Sequence, residues 1–376
     1  MRRLRPVRQT IAVVAAVLLA LGATPALASN DPLSSQQWAL AKIHAEEAWA
    51  RSTGTGVTVA VIDTGVNFSH EDLQGASAGS YTCVDTCVEG GEDDFGHGTW
   101  VAGILAARAN NGVGIAGVAP EAKVLSIKTL DNEGVGTIDD VAMAIEFATE
   151  KGAKVINLSL GSDLPTALLV GLLTGLLGGE DPLQKAITFA AGQGAVVVAA
   201  AGNSGLAPGF LGLDNLILVG ATGPDDQISG YSSSLVGVSL HAPGGEAAGE
   251  CDPSLCILTT DFEGGYESVQ GTSFAAPHVS GVVAQLIALG YSPLEATARL
   301  LTTADSASGV SRLNAASALQ SDPLVAIPPV VGATPGEPGV PAPGEPGLPA
   351  PGLPSFPAPP DVPVPGAPGD GAPLPE

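Results

Sequence analysis

Apolar residues recur along this chain in short, nearly continuous runs. Val57-Thr-Val-Ala-Val-Ile62, Lys123-Val-Leu-Ser-Ile127, Val155-Ile-Asn-Leu-Ser159, Ala195-Val-Val-Val-Ala-Ala200 and Leu216-Ile-Leu-Val219 are the clearest. Runs of this length, rich in Val, Ile, Leu and Ala, are expected of strands buried on both faces. The stretches around 98–108, 137–151, 182–193 and 275–289 lie between or after them and predict helices. Strand–helix alternation predicts an α/β fold, a doubly wound and mostly parallel sheet with helices on both faces. In such sheets ligands sit beyond the carboxyl ends of the strands.

Three segments stand outside the alternation. Residues 1–28 join a basic start (Arg2, Arg3, Arg5 and Arg8) to an apolar run from Ile11 to Leu21 and to the small-residue site Ala26-Leu27-Ala28. That is the pattern of a cleaved secretory signal; the run is short for the alternative, an uncleaved membrane anchor. Thr166-Ala-Leu-Leu-Val-Gly-Leu-Leu-Thr-Gly-Leu-Leu-Gly179 is apolar and broken by glycines. It is expected either to pack on the domain as a hydrophobic helix or loop, or to form a flap beside a cleft. From about Asp322 the chain turns to Pro and Gly, with an imperfect octad at 336–343 and 344–351. Glycine does not recur at every third position, so a collagen helix is excluded. The expected organisation is a signal at 1–28, a folded domain at 29–320 and a disordered, polyproline-like tail at 321–376.

Charge narrows the partners. The chain carries 14 basic and 38 acidic residues, and loss of the signal removes four of the former and none of the latter, leaving a net charge of −28. Such a surface excludes nucleic acid and anionic membrane as natural partners and makes a divalent cation plausible. The four cysteines, Cys83, Cys87, Cys251 and Cys256, fall in two close pairs. An even count in an exported chain predicts disulfides. Of three connectivities, 83–87 and 251–256 are expected because each closes a very short loop; a CxxxC…CxxxxC metal site is the alternative.

Four polar residues sit where chemistry is expected. Asp63 ends the first apolar run, in Val61-Ile62-Asp63-Thr64-Gly65. A carboxylate there is costly without a partner, and a histidine would supply one. His97 stands between glycines in Asp94-Phe95-Gly96-His97-Gly98-Thr99-Trp100, at the start of a predicted helix. Ser273 lies in Gly271-Thr272-Ser273-Phe274-Ala275-Ala276-Pro277-His278. At a helix start it has unpaired backbone N–H groups beside it, and small neighbours keep its hydroxyl open. Asn203, in Ala201-Gly202-Asn203-Ser204, follows another apolar strand and could offer an amide N–H. Acyl transfer at a serine needs a base, a carboxylate that orients it, and donors for the oxyanion.

These segments, in the chain order Asp, His, Ser, resemble the active-site motifs of subtilisin-like proteases over residues 30 to 320. The resemblance implies a secreted endopeptidase working through an acyl-enzyme, with Asp63 orienting His97, His97 activating Ser273, and Asn203 completing the oxyanion hole. It also implies that Ser159-Leu160-Gly161 lines the first specificity pocket and that Gly134-Val135-Gly136 pairs with an extended polypeptide substrate. Acidic residues are absent from Ser204 to Leu213, so an apolar or aromatic P1 residue is expected. Asn111, 14 residues after His97, resembles the calcium loop of thermitase-like members. That pattern implies a structural Ca²⁺ held by the Asn111 side chain, the carbonyls of Arg108, Val113 and Ile115, and Asp31 and Asp72, an oxygen-only set. Catalysis itself requires no cofactor. The mature chain is expected to be a monomer without a membrane span, secreted, with the tail a possible tether to the cell surface. Two features depart from the family pattern. No propeptide is evident before Asn30-Asp31-Pro32-Leu33, and the stretch from Asn203 to Gly220 is short. A catalytically silent binding protein on the same fold is the competing reading. Retention of all four groups weighs against it.

Overall fold

A computed structural model describes residues 29–160, 181–205, 210, 212–233, 237–307 and 309–320; the expected signal, Gly161, the apolar stretch 166–179 and the tail 321–376 lie outside the described residues. Two short helices, α1 (Trp38–Lys42) and α2 (Ala45–Trp49), precede β1 (Thr58–Asp63). The hairpin of β2 (Ser77–Val84) and β3 (Thr86–Glu89) follows, then α3 (His97–Ala106), β4 (Lys123–Lys128), α4 (Ile138–Glu150) and β5 (Val155–Leu158). Next come α5 (Pro182–Gly192), β6 (Val196–Ala200), β7 (Leu216–Thr222) and β8 (Leu240–Pro243). The hairpin of β9 (Ile257–Thr260) and β10 (Tyr266–Val269) leads into α6 (Thr272–Ala288) and α7 (Pro293–Thr302). A last hairpin, β11 (Asp305–Ala307) and β12 (Val310–Arg312), precedes α8 (Ala315–Leu319).

Ten strands form the main sheet in the order β11-β12-β8-β7-β6-β5-β1-β4-β2-β3. Its inner pairings are all parallel, and only the outermost strands β11 and β3 run antiparallel to their neighbours. The order reverses at β1, which lies between β4 and β5, so the crevice at the carboxyl ends of β1 and β5 is where a doubly wound sheet binds ligands. The five apolar runs form β1, β4, β5, β6 and β7, and the expected fold is observed.

Alternation along each strand divides the core in two. Val59, Val61, Val124, Val155, Val198 and Val219 pack with residues of α3 and α6. Ala60, Ile62, Leu125, Ile127, Ile156, Leu158 and Val197 pack with residues of α4 and α5 on the other face. Side chains two residues apart share a face. Asp63, in phase with Val61, and Asn157 and Ser159, in phase with Val155, therefore face α3 and α6.

Helix starts follow local chemistry. Thr137 caps α4 by accepting from Asp140 N, and Asp181 caps α5 ahead of Pro182. Ser292 and Glu295 form a capping box on α7. Cys83 bonds Cys87 across the β2–β3 hairpin and Cys251 bonds Cys256, the two short-loop pairings, so the metal alternative for these cysteines falls.

Candidate active site

Asp63, the last residue of β1, is fully buried. Thr129 N and Leu130 N donate to its carbonyl at 2.9 and 3.2 Å, and Thr64 N donates to its Oδ1 at 2.8 Å. The same Oδ1 lies 2.7 Å from His97 Nδ1. That contact fixes the ring and leaves Nε2 as its other nitrogen, while Asp63 Oδ2 is buried with no partner among the described residues.

His97 opens α3 after Gly96, whose φ of 110° is open to glycine and strained for other residues. A Cβ at Gly96 would also stand 2.7 Å from Phe262. Asp93 organises this turn. Its Oδ1 accepts from Gly96 N (2.8 Å), Phe95 N (3.1 Å) and Thr64 Oγ1 (2.8 Å), and its Oδ2 accepts from Thr99 N at 2.9 Å. Thr64 Oγ1 in turn accepts from Gly98 N at 2.9 Å. The end of β1 and the start of α3 are thus stitched together around one carboxylate. Burial by itself pulls the His97 pKa down, but the charge and hydrogen bond of Asp63 and the charge of Asp93 outweigh it and hold the imidazole above its ordinary value. Trp100 and Phe274 pack against the ring, with centroids 6.0 and 5.4 Å away.

Ser273 is the second residue of α6, which starts after Gly271 at a φ of 150°. Asn203, beyond the end of β6, turns its Oδ1 onto this helix start and accepts from Thr272 N (2.9 Å) and Thr272 Oγ1 (3.0 Å). Thr272 Oγ1 also accepts from Gly202 N at 3.0 Å. With the amide oxygen tied back, Nδ2 is the end of this exposed side chain left to donate, and it sits 3.3 Å from where a Cβ of Gly271 would stand. Among the described residues no hydrogen bond joins His97 to Ser273; Phe274, the residue after Ser273, packs on the imidazole.

Ser159 lies directly past β5, and its Oγ donates to the Ser273 carbonyl at 2.6 Å. Leu160 packs, half-buried, on the α4/α5 side of the core. Gly134-Val135-Gly136 follows the Asn132-Glu133 turn and is not in a strand; Asp131 N donates to Val135 O and Asp131 Oδ1 accepts from Val135 N, both at 2.9 Å. The Val135 side chain is left 61% exposed at this edge.

The Asn111 loop lies away from these residues. Asp31 and Asp72 are buried, and neither forms an ion pair among the described residues. Asp31 accepts from Asn110 N (2.8 Å) and Gly112 N (3.0 Å); Asp72 accepts from Ile115 N (2.8 Å), Asn111 Nδ2 (2.8 Å) and Tyr266 Oη (2.9 Å). Burial pushes the Asp72 pKa up despite these donors. Among the described residues the carbonyls of Arg108, Val113 and Ile115 accept no hydrogen bond. The groups are oxygens of the kind a hard cation takes, but Asn111 Oδ1 already accepts from Val113 N at 2.8 Å, and among the described residues no three Asp, Glu, His or Cys side chains cluster to hold a metal ion.

Sequence reasoning missed three contributors. Asp93 was legible as an acidic residue ahead of a helix start. Asn157 was legible as one polar residue inside an apolar strand, which demands a buried partner. Lys128 gave no signal. Its Nζ donates to the carbonyls of Thr64 (3.0 Å) and Leu130 (2.6 Å) and pairs with Asp94 at 2.6 Å, joining three segments of the rim.

Comparison with known proteins identifies the family. A family model described as the subtilase family matches residues 54–319. Thermitase of Thermoactinomyces vulgaris is 39% identical over 300 residues, covering 77% of this chain and 99% of that one. A thermophilic serine proteinase of Bacillus sp. (strain AK1) is 38% identical over 269 residues, covering 71% of this chain and 61% of that one. Among solved structures, a protease of Pseudoalteromonas arctica PAMC 21717 superposes with a TM-score of 0.69 at 29% identity, over 78% of this chain and 98% of that one. The chain belongs to the subtilase family and is a subtilisin-like serine endopeptidase.

Proposed function

We propose that Asp63, His97 and Ser273 are the catalytic triad of this endopeptidase and that Asn203 donates to the oxyanion. The observation that carries this reading is the 2.7 Å contact between buried Asp63 and His97 Nδ1, on the sheet face that also receives Ser273. Nε2 of His97 takes the Ser273 proton as Oγ attacks the substrate carbonyl, and Asp63 stabilises the imidazolium that forms. Asn203 Nδ2 and a backbone N–H at the start of α6 meet the negative charge on the carbonyl oxygen. His97 then returns its proton to the leaving amine, the acyl-enzyme forms, and water releases it by the reverse sequence.

The substrate lies extended between the 134–136 segment and the Ser159-Leu160-Gly161 segment that follows β5. Gly134 O and the Gly136 N–H, which have no partner among the described residues, serve its main chain. Leu160 and the absence of acid from Ser204 to Leu213 favour an apolar or aromatic P1 residue. Asp31, Asp72, the Asn111 side chain and the carbonyls of Arg108, Val113 and Ile115 would hold a structural Ca²⁺, which clamps the loop and takes no part in the chemistry. The leader-like residues 1–28 support export, and the mature chain acts as a monomer with its Pro-rich tail as a spacer.

A fluorophosphonate probe tests the assignment. It should label the folded wild-type protein at Ser273, and Ser273→Ala should abolish labelling. Unlabelled folded protein, or labelling that survives the substitution, would overturn it.

A further inference from the structure

Pro277 sits inside α6. A proline has no N–H to give the carbonyl four residues earlier, and its ring crowds that carbonyl. Here the carbonyl belongs to Ser273. The lost helical bond is replaced from another element, because Ser159 Oγ donates to Ser273 O at 2.6 Å. Ser159 Oγ itself accepts from Asn157 Nδ2 at 2.8 Å, and Asn157 Oδ1 accepts from Ser280 Oγ at 2.8 Å. Ser280 lies seven residues beyond Ser273, about two turns further along the same helix. Asn157 and Ser280 are 0% exposed and Ser159 is 1% exposed.

Polar groups buried this deeply are costly unless every link is made. The three side chains form a directed chain from the Ser280 hydroxyl through the Asn157 amide to the Ser159 hydroxyl and then to the Ser273 carbonyl. Both ends lie on α6 and the middle lies on β5 and its extension, so the first turn of α6 is tied to the sheet at two points. Neither the Asn157 nor the Ser280 side chain hydrogen-bonds Asp63, His97 or Asn203 among the described residues.

We propose that Ser159, held in place by Asn157, is a positioning residue that sets the location of the Ser273 nucleophile by replacing the backbone hydrogen bond that Pro277 removes. The proposal rests on the reading of Ser273 as the nucleophile. It gives the serine beside the cleft two roles, since its main chain borders the substrate while its hydroxyl fixes the attacking residue.

The test compares the full mature chain with Ser159→Ala, Pro277→Ala and the double variant. The readouts are kcat and KM on a chromogenic peptide, the rate of fluorophosphonate capture, and thermal unfolding. Ser159→Ala should lose roughly tenfold to a hundredfold in kcat and in capture rate with little change in KM, the signature of a displaced reacting group. Adding Pro277→Ala restores a backbone N–H to the Ser273 carbonyl, so the double variant should be faster than Ser159→Ala. In an Asn203→Ala background, Pro277→Ala should bring no such recovery. Equal rates for Ser159→Ala and the double variant would overturn the proposal, as would near-wild-type rates in Ser159→Ala or a general acceleration by Pro277→Ala. If Ser159→Ala alone does not fold, restored folding and capture in the double variant support the proposal and failure to restore them refutes it. A wild-type protein that the probe does not label would instead remove the nucleophile assignment itself.

Discussion

Gly98→Ala isolates the close approach on which the Asp63–His97 pair depends. A Cβ at this position would stand 2.0 Å from the Gly65 carbonyl oxygen, 3.1 Å from the Gly65 carbonyl carbon and 3.2 Å from Asp63 Cβ. A carbon approaches a carbonyl oxygen comfortably at about 3.3 Å, so the first turn of α3 has to withdraw by about 1.3 Å or push the end of β1 aside. Either movement strains the 2.7 Å contact between His97 and Asp63. Misplacing a catalytic group by about 1 Å costs roughly a hundredfold in rate, equivalent to about 2.7 kcal/mol of barrier. Stability opposes two effects. Alanine favours a helix over glycine by about 1 kcal/mol, whereas overpacking a closed site costs about 1–3 kcal/mol. Backbone lies on the far side of the contact and cannot rotate away, so the clash wins. The expected result is a fall of about a hundredfold in kcat/KM on a chromogenic peptide, with no rise in melting temperature by calorimetry. A variant with wild-type kcat/KM and a higher melting temperature would refute the reasoning, because Gly98 would then be an ordinary helical glycine.

Three further outcomes follow from the site. The proposed role of His97 as base requires its neutral form, and the Asp93 carboxylate helps hold its pKa above the ordinary value. Asp93→Asn should therefore move the acid limb of the kcat/KM profile to lower pH; an unchanged or raised limb counts against that electrostatic role. Chelation with EDTA should lower the melting temperature by about 5–10 °C, the size expected when a site saturated near a hundred times its Kd is emptied. A melting temperature indifferent to EDTA and to added calcium would remove the Asn111 loop from consideration. Digestion of an unbiased peptide library should give cleavage after apolar or aromatic residues, and dominance of Arg or Lys at P1 would disprove the pocket reading.

Much of the fold was legible because its strands are buried on both faces. Double burial leaves a run such as Val155–Leu158 almost wholly apolar, and such runs can be read without knowing their partners. The short strands β8 to β12 carry only three or four residues each, too few for a period to emerge, and they exist because neighbours supply their hydrogen bonds. At the site, Asp63, His97, Asn203 and Ser273 stood out because each sits among glycines or small residues at the end of an element, a setting that local sequence records.

The sequence by itself determined the strand–helix alternation, the order of the four polar residues and the short cysteine loops, all of which depend on neighbours in the chain. Tertiary structure alone decided that Asp93 ties β1 to α3, that Lys128 joins three rim segments, and that Ser159 replaces the bond Pro277 cannot make. Each of these is a hydrogen bond between groups distant in sequence, and its partner is fixed only once the sheet has set its register. Proline at 277 could be read from the sequence; the hydroxyl that compensates for it lies 114 positions from Ser273 and became identifiable only through the packing of α6 on β5.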